Sequence, residues 1–263
     1  MKKAILILLC AALPGISLAA GGEEVKLDAV KIDLNDKPSL QRGARLFVNY
    51  CLSCHSASYM RYNRVAADLG ISEPLMLQNM VFIPDAKGDL KIGALMKSNM
   101  PVDVAKAAFN TVPPDLSLEA RARGPEWFYT YMRSFYRDDK RPSGWNNIVF
   151  PNVAMPHVLQ ELQGTQRAVY RTEKSEMIVE QGGKKVKKQI EEKIFDHFDI
   201  DKAGSMTTEQ YNDTMRDLTN FMVYLGEPAK LVRYRLGISV LVFLAIFFVV
   251  AYLLKKEYWK DVH

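Results

Sequence analysis

Cysteine is scarce in this chain, and the few cysteines limit the chemistry that they can support. The 263 residues contain three: Cys10, Cys51 and Cys54. A cysteine-based zinc site would need two further ligands, and no second cysteine pair exists. A thioredoxin-like redox pair would need a βαβ setting, which the pattern of the chain lacks. A structural disulfide between Cys51 and Cys54 stays open if the protein is exported.

Concentrated positive charge is also missing. The formal net charge is +5, and the lysines and arginines are scattered or paired with acidic residues. This distribution argues against a nucleic-acid partner. The sequence shows no internal repeat and no low-complexity tract, and its length suits one domain with a full core or two small ones.

The N-terminal segment predicts export. Two lysines precede an apolar run at residues 4–13, a Pro-Gly pair interrupts the run, and small residues at 17–20 suit a signal peptidase. The run is too short to span a bilayer well, so we predict that residues 1–19 are a signal peptide that is removed. Cys10 lies inside it, without the small preceding residue that lipidation usually requires, and should leave with the signal.

A membrane anchor is predicted at the other end. Residues 236–254 carry no charge, and 19 residues at about 1.5 Å each reach roughly 28 Å, enough to cross a bilayer. A buried core helix is the alternative. Basic residues flank both ends equally, so they do not decide the orientation. The export signal decides the orientation, and it places residues 20–228 on the periplasmic side of the bacterial inner membrane. Residues 229–254 should then form the juxtamembrane segment and span, and residues 255–263 should be a cytoplasmic tail.

The most informative motif is Cys-Leu-Ser-Cys-His at residues 51–55. Two thiols three positions apart can each bond to one vinyl group of a haem, and the adjacent His55 then faces the iron. Export together with this histidine favours one covalently bound haem c over the disulfide. Residues 40–54 before and within the motif predict an amphipathic helix, with Ser39 as its N-cap and Gly43 allowing close approach of a neighbour.

The methionines supply the main candidates for a second iron ligand. Most of them suit core packing. Met155 differs because it lies in a loop, residues 150–156, with a proline on each side, and prolines stiffen a segment that must hold a side chain against iron. His157 is the nearby competitor, although an ordinary exposed histidine is the plain interpretation of it and of His197.

Several further motifs accompany the haem motif: Met-Arg-Tyr-Asn-Arg at 60–64 with Asp-Leu-Gly at 68–70, Pro-Pro-Asp-Leu-Ser at 113–117, Arg-Ala-Arg at 121–123, residues 145–156 and the single anchor. In these motifs the chain resembles cytochrome c1, the haem subunit of the cytochrome bc1 complex, of a proteobacterial type. The resemblance implies a mainly α fold with a haem domain like that of class I c-type cytochromes, long loops and one C-terminal transmembrane helix. It implies that Met155 is the second axial ligand and that Arg123 lies near a haem propionate.

The same resemblance implies a function in the respiratory chain. Single electrons would pass from the Rieske iron–sulfur subunit to a soluble or tethered c-type cytochrome, with cytochrome b and membrane lipid as the other partners. The chain by itself would catalyse no bond-making reaction. Three alternatives stay open: a free-standing tethered carrier or oxidase haem subunit, a haem sensor or peroxidase with a vacant coordination position, and an exported structural protein with a disulfide.

Local patterns predict the remaining elements. Residues 165–200 are charge-rich and predict a hairpin that turns at Gly182-Gly183. Asp199-Ile200-Asp201 resembles the start of a calcium loop, but Ala203 and Gln210 stand where ligands are required, so calcium binding is not expected. Thr207 and Gln210 instead predict a capping box. Besides residues 40–54, helices are predicted at 100–110, 117–121, 125–136 and 208–225, and loops at 75–93 and 138–154.

Overall fold

The core of the protein forms where its first described helix crosses a helix near the other end of the domain. The computed structural model describes residues 25–85, 87–181 and 184–261, so the predicted signal peptide lies outside the described residues. Helix α1 (Lys37–Leu46) packs along α8 (Thr208–Gly226). A Cβ atom on Gly43 would collide with the backbone carbonyl of Asp217. The predicted close approach at Gly43 is therefore confirmed.

Polar contacts hold the same crossing together. Asp217 is buried on α8, where it accepts hydrogen bonds from Ser39 Oγ at 2.7 Å and from the Arg42 guanidinium. The N-cap of α1 is Asp36, whose carboxylate accepts from the Ser39 backbone N–H at 3.0 Å. The prediction that Ser39 caps this helix was wrong, because its hydroxyl is used between helices.

Among the described residues, short helices and three two-stranded antiparallel sheets accompany this crossing. The helices and strands are, in chain order, α1 (Lys37–Leu46), a π-helical turn (Phe47–Cys51), β1 (Ala57–Arg61), α2 (Tyr62–Leu69), α3 (Glu73–Met80), β2 (Leu95–Met96), α4 (Val102–Phe109), α5 (Glu119–Arg123), α6 (Pro125–Arg133), β3 (Phe135–Arg137), β4 (Trp145–Asn147), α7 (Gln160–Gln163), β5 (Gly164–Gln181), β6 (Lys184–Ala203), α8 (Thr208–Gly226) and α9 (Lys230–Tyr258).

The predicted helices all occur, with shifted ends. The helix predicted at 125–136 stops at Arg133 because the chain turns into β3, which pairs with β4. The loop predicted at 75–93 was wrong at its start, where α3 continues to Met80. The predicted capping box at the start of α8 is confirmed, with both reciprocal hydrogen bonds between Thr207 and Gln210.

The charge-rich segment forms the predicted hairpin, β5 paired with β6. Its base is anchored on the domain, since the Gln166 side chain donates to the backbone carbonyls of Arg133 and Phe135 at 2.9 and 2.8 Å. Gly164 begins β5 with φ +91°, where any Cβ would collide with the backbone of the returning strand. The predicted turn at Gly182-Gly183 lies outside the described residues.

The long C-terminal helix α9 is apolar and exposed. It has 29 residues, reaches a mean hydropathy of 2.8 over 18 of them, and buries none of that window against the rest of the protein. A helix of this length and composition is able to cross a membrane. The alternative of a buried core helix is wrong, because the apolar side chains face outward.

Candidate functional site

A single cavity brings together the residues that the sequence singled out. It has a volume of about 400 Å³, and Cys51, Cys54, His55, Met155 and Arg123 all line it. Its remaining wall is mainly apolar and aromatic. These wall residues include Phe109, Val112, Pro113, Leu116, Trp127, Phe128, Tyr131, Met132, Phe150, Val153 and Val158.

The two cysteines lie where α1 gives way to the next segment. The π-helical turn ends at Cys51, which is buried, and Cys54 follows half-buried after a short turn. No disulfide joins these two sulfurs. Burial, with a smaller contribution from the nearby Cys54, raises the pKa of Cys51 to about 12, so this sulfur stays protonated in the absence of a bond to another group.

His55 is oriented by a backbone carbonyl. Its Nδ1 lies 2.8 Å from the carbonyl oxygen of Pro114. Because a carbonyl can only accept, Nδ1 carries the proton and Nε2 keeps a free lone pair. Burial lowers the pKa of His55 and keeps the ring neutral. This is the arrangement that proteins use to present a histidine to a metal.

The Pro-Pro-Asp-Leu-Ser segment acts as a clamp on the chain after the haem motif. The Asp115 carboxylate accepts from the backbone N–H groups of Ser58 and Ser117 at 2.9 and 2.8 Å. Burial of Asp115 works against its ionisation, but hydrogen bonds from the side chains and the backbone of Ser117 and Ser58 outweigh it and lower its pKa. Leu116 N–H also donates to Ser56 at 2.8 Å. The clamp therefore fixes Pro114 beside His55.

The loop that carries Met155 is held by side chains as well as by its prolines. Asn147 is buried, and its Oδ1 accepts from the backbone N–H groups of Val149 at 2.9 Å and Phe150 at 3.2 Å. Asn152 has φ +64°, in the left-handed region, and Arg141 donates to both its side chain and its carbonyl. Sequence reasoning found the prolines but missed these polar contacts.

Tyr131 of α6 also reaches the methionine. Its hydroxyl donates to Met155 Sδ at 3.4 Å, and burial raises its pKa well above the usual value, so it stays a donor. The spacing of α6 carries no sequence signal for this contact.

Arg123 lies at the mouth of the cavity. It ends α5, and its guanidinium stacks over Trp127 at 4.4 Å and approaches Phe150 at 5.5 Å. Its Nε donates to Glu119 at 2.5 Å, and among the described residues this is its one hydrogen bond. The terminal nitrogens make no side-chain hydrogen bond within the described ranges and are able to bind an anionic group.

The rival histidines do not line the cavity. His157 is only 5% exposed and packs between Phe135, at 5.1 Å between ring centroids, and Trp145, at 5.0 Å. Burial lowers its pKa to about 4. The expectation of an ordinary exposed histidine was wrong for His157, because the turn after Met155 directs it into the core. It is confirmed for His197, which lies exposed on β6 beside two aspartates.

The donor set fits a covalently bound haem. Two thiols, an oriented imidazole and a thioether line one cavity, and the other side chains that line it are mostly apolar. Within the described ranges, no group of three or more cysteine, histidine or carboxylate side chains is placed to hold a bare metal ion.

Comparison with known proteins also finds similarity to haem proteins of the cytochrome c1 type. The model of the Cytochrome C1 family matches residues 30–262. The chain is 48% identical to cytochrome c1 of Allochromatium vinosum and 44% identical to a protein named ammonia monooxygenase gamma subunit of Nitrosomonas europaea, in both cases over the whole of each chain. It is 26% identical to cytochrome c1 of Rhodospirillum rubrum, over 86% of this chain and 83% of that protein.

Proposed function

The chain belongs to the cytochrome c1 family, and we propose that it carries single electrons from a Rieske iron–sulfur subunit to a c-type cytochrome through a haem held by His55 and Met155. Proteins of this family bind one covalent haem c and are electron-transfer subunits of the cytochrome bc1 complex. The chain is accordingly such a subunit and not an enzyme by itself, and α9 fits a membrane anchor.

The observation that carries the proposal is the shared cavity. His55 and Met155 are 100 positions apart in the sequence, yet both line it together with the two cysteines. When bound, the haem iron supplies a one-electron couple between the ferrous and ferric states. His55 and Met155 would both hold the haem iron, and the chemistry that the group would supply here is exchange of single electrons.

The surrounding residues serve this task in different ways. Cys51 and Cys54 provide the covalent attachment, and the Pro114 carbonyl keeps His55 in the tautomer whose Nε2 is the donor. The apolar wall excludes water, which favours the less charged ferrous form. Arg123 binds a propionate carboxylate at the mouth of the cavity, where its charge compensates that anion.

The proposed membrane arrangement rests on the predicted export signal and on the uncharged span near the C-terminus. Residues 1–19 serve as the export signal, residues 20–228 form the periplasmic haem domain, and residues 229–254 form the juxtamembrane segment and span, with 255–263 on the cytoplasmic side. The anchor holds the haem domain beside cytochrome b and the Rieske subunit. The second candidate is a subunit of an ammonia monooxygenase, because the relative from Nitrosomonas europaea carries that name. Mild detergent solubilisation followed by pull-down of this chain distinguishes them, since cytochrome b should copurify.

Redox titration of two matched variants tests the ligand assignment. Met132 and Met155 both line the cavity, so Met155→Leu and Met132→Leu make volume-conserving changes at the same place. Met155→Leu should lower the reduction potential and allow carbon monoxide to bind the reduced protein, because the thioether that stabilises ferrous iron is lost. Met132→Leu should cost only packing stability, about 1 kcal/mol. If Met132→Leu shows the fall in potential and Met155→Leu titrates like the parent, the assignment is wrong.

A further inference from the structure

The Tyr131 hydroxyl is the one polar side-chain group that the described residues place on the sulfur of Met155. The O–S distance is 3.4 Å, and Tyr131 is only 9% exposed. A phenol hydroxyl is a good donor and a thioether sulfur a weak acceptor. The contact is therefore a directed hydrogen bond from a buried phenol to a partly buried sulfur.

Both partners of this hydrogen bond belong to one rigid frame. The ring of Tyr131 stacks on Trp127, with centroids 4.9 Å apart and planes 9° apart, and meets Phe135 edge-on at 5.1 Å. The backbone carbonyl of Tyr131 accepts from Asn147 Nδ2 at 2.8 Å. The other end of the Asn147 amide holds the loop before Met155. The hydroxyl and the sulfur are thus fixed relative to each other from two directions.

The position of the hydroxyl has an electronic consequence. A sulfur that donates one lone pair to iron can accept a hydrogen bond on the other. The hydrogen bond draws electron density from the sulfur and makes it a weaker donor to ferric iron. Groups that hydrogen-bond to a metal ligand adjust the metal in this way.

We propose that Tyr131 is a positioning residue that raises the reduction potential through its hydrogen bond to Met155. The proposal rests on the function proposed above, since it requires Met155 to be an iron ligand. It predicts two effects of the same origin when the hydroxyl is removed. The potential should fall, and the bond from Met155 to ferric iron should become stronger.

Tyr131→Phe tests the proposal because it keeps the stacked ring and removes only the oxygen. Tyr129→Phe is the matched control: it lies on the same helix, is also 9% exposed, and packs under Arg133 away from the cavity. Loss of one weak neutral hydrogen bond should change the ferrous–ferric equilibrium about threefold, which is about 28 mV downward for one electron at 59 mV per tenfold. Imidazole should bind the ferric variant about threefold more weakly, because it must displace a stronger Met155 bond.

The outcomes separate this proposal from its premise. An unchanged potential in Tyr131→Phe, or an equal shift in Tyr129→Phe, overturns it. Tighter imidazole binding also overturns it, because the hydroxyl would then only hold the loop in place. The charge-transfer band of methionine-bound ferric haem in the parent protein tests the premise alone: if the parent lacks the band, the ligand assignment fails first.

Discussion

Replacement of Asn147 should loosen the loop of Met155, the proposed iron ligand, far more than its position in a short strand suggests. The side chain is 1% exposed and makes three hydrogen bonds: to the Tyr131 carbonyl at 2.8 Å and from Val149 and Phe150 N–H at 2.9 and 3.2 Å. Each contributes about 0.5–1.5 kcal/mol net, so their sum is roughly 3 kcal/mol. At about 1.4 kcal/mol per tenfold, Asn147→Ala should raise the population of the open loop on the order of 100-fold.

Carbon monoxide binding to the reduced protein measures that population, because under the proposed ligation the gas must replace Met155. The matched control is Asn220→Ala. Asn220 lies on α8, is 2% exposed, and also makes three hydrogen bonds, two with the Asp33 backbone and one from its amide to Ser39 Oγ. Both variants should lower the thermal midpoint to a similar extent. Only Asn147→Ala should bind carbon monoxide faster, by the factor that the loop population sets.

Equal carbon monoxide rates in the two variants, at equal loss of stability, would refute the reasoning. The ligand loop would then open only with the whole domain, or Met155 would not occupy the coordination position. A faster rate in Asn220→Ala alone would place the controlling contacts at the crossing of α1 and α8.

The remaining predictions use separate measurements. Cys51→Ala combined with Cys54→Ala should abolish the haem stain that otherwise stays with the polypeptide in denaturing electrophoresis, whereas an unmodified disulfide peptide in mass spectrometry would contradict attachment. A tag fused after the last residue should be protected from protease in spheroplasts, and the haem domain should be cut; the reverse pattern would invert the topology. Gly43→Ala should lower the free energy of unfolding by about 1–3 kcal/mol, because the added methyl group pushes α1 away from α8. Chemical denaturation checks this, and a neutral effect would show that the crossing is loosely packed.

Features with a local cause were predictable from the sequence. Covalent attachment needs two thiols and a histidine within five residues, and a bilayer span needs one uncharged stretch. The hairpin and the capping box at Thr207 also depend on neighbours in sequence. The prolines on either side of Met155 likewise indicated a stiffened loop. In each case the residues that decide the structure are close enough along the chain to form a recognisable pattern.

The features that the tertiary structure alone decided depend on contacts between distant segments. The Pro114 carbonyl meets His55 across 59 positions, and the Tyr131 hydroxyl meets Met155 across 24. Ser39 suits an N-cap by type, yet its hydroxyl is used by Asp217, 178 positions away. His157 looks like a surface residue until packing places it between two aromatic rings. Such partners leave no periodic trace in the sequence, because they are set by which side chains meet when separate elements pack together.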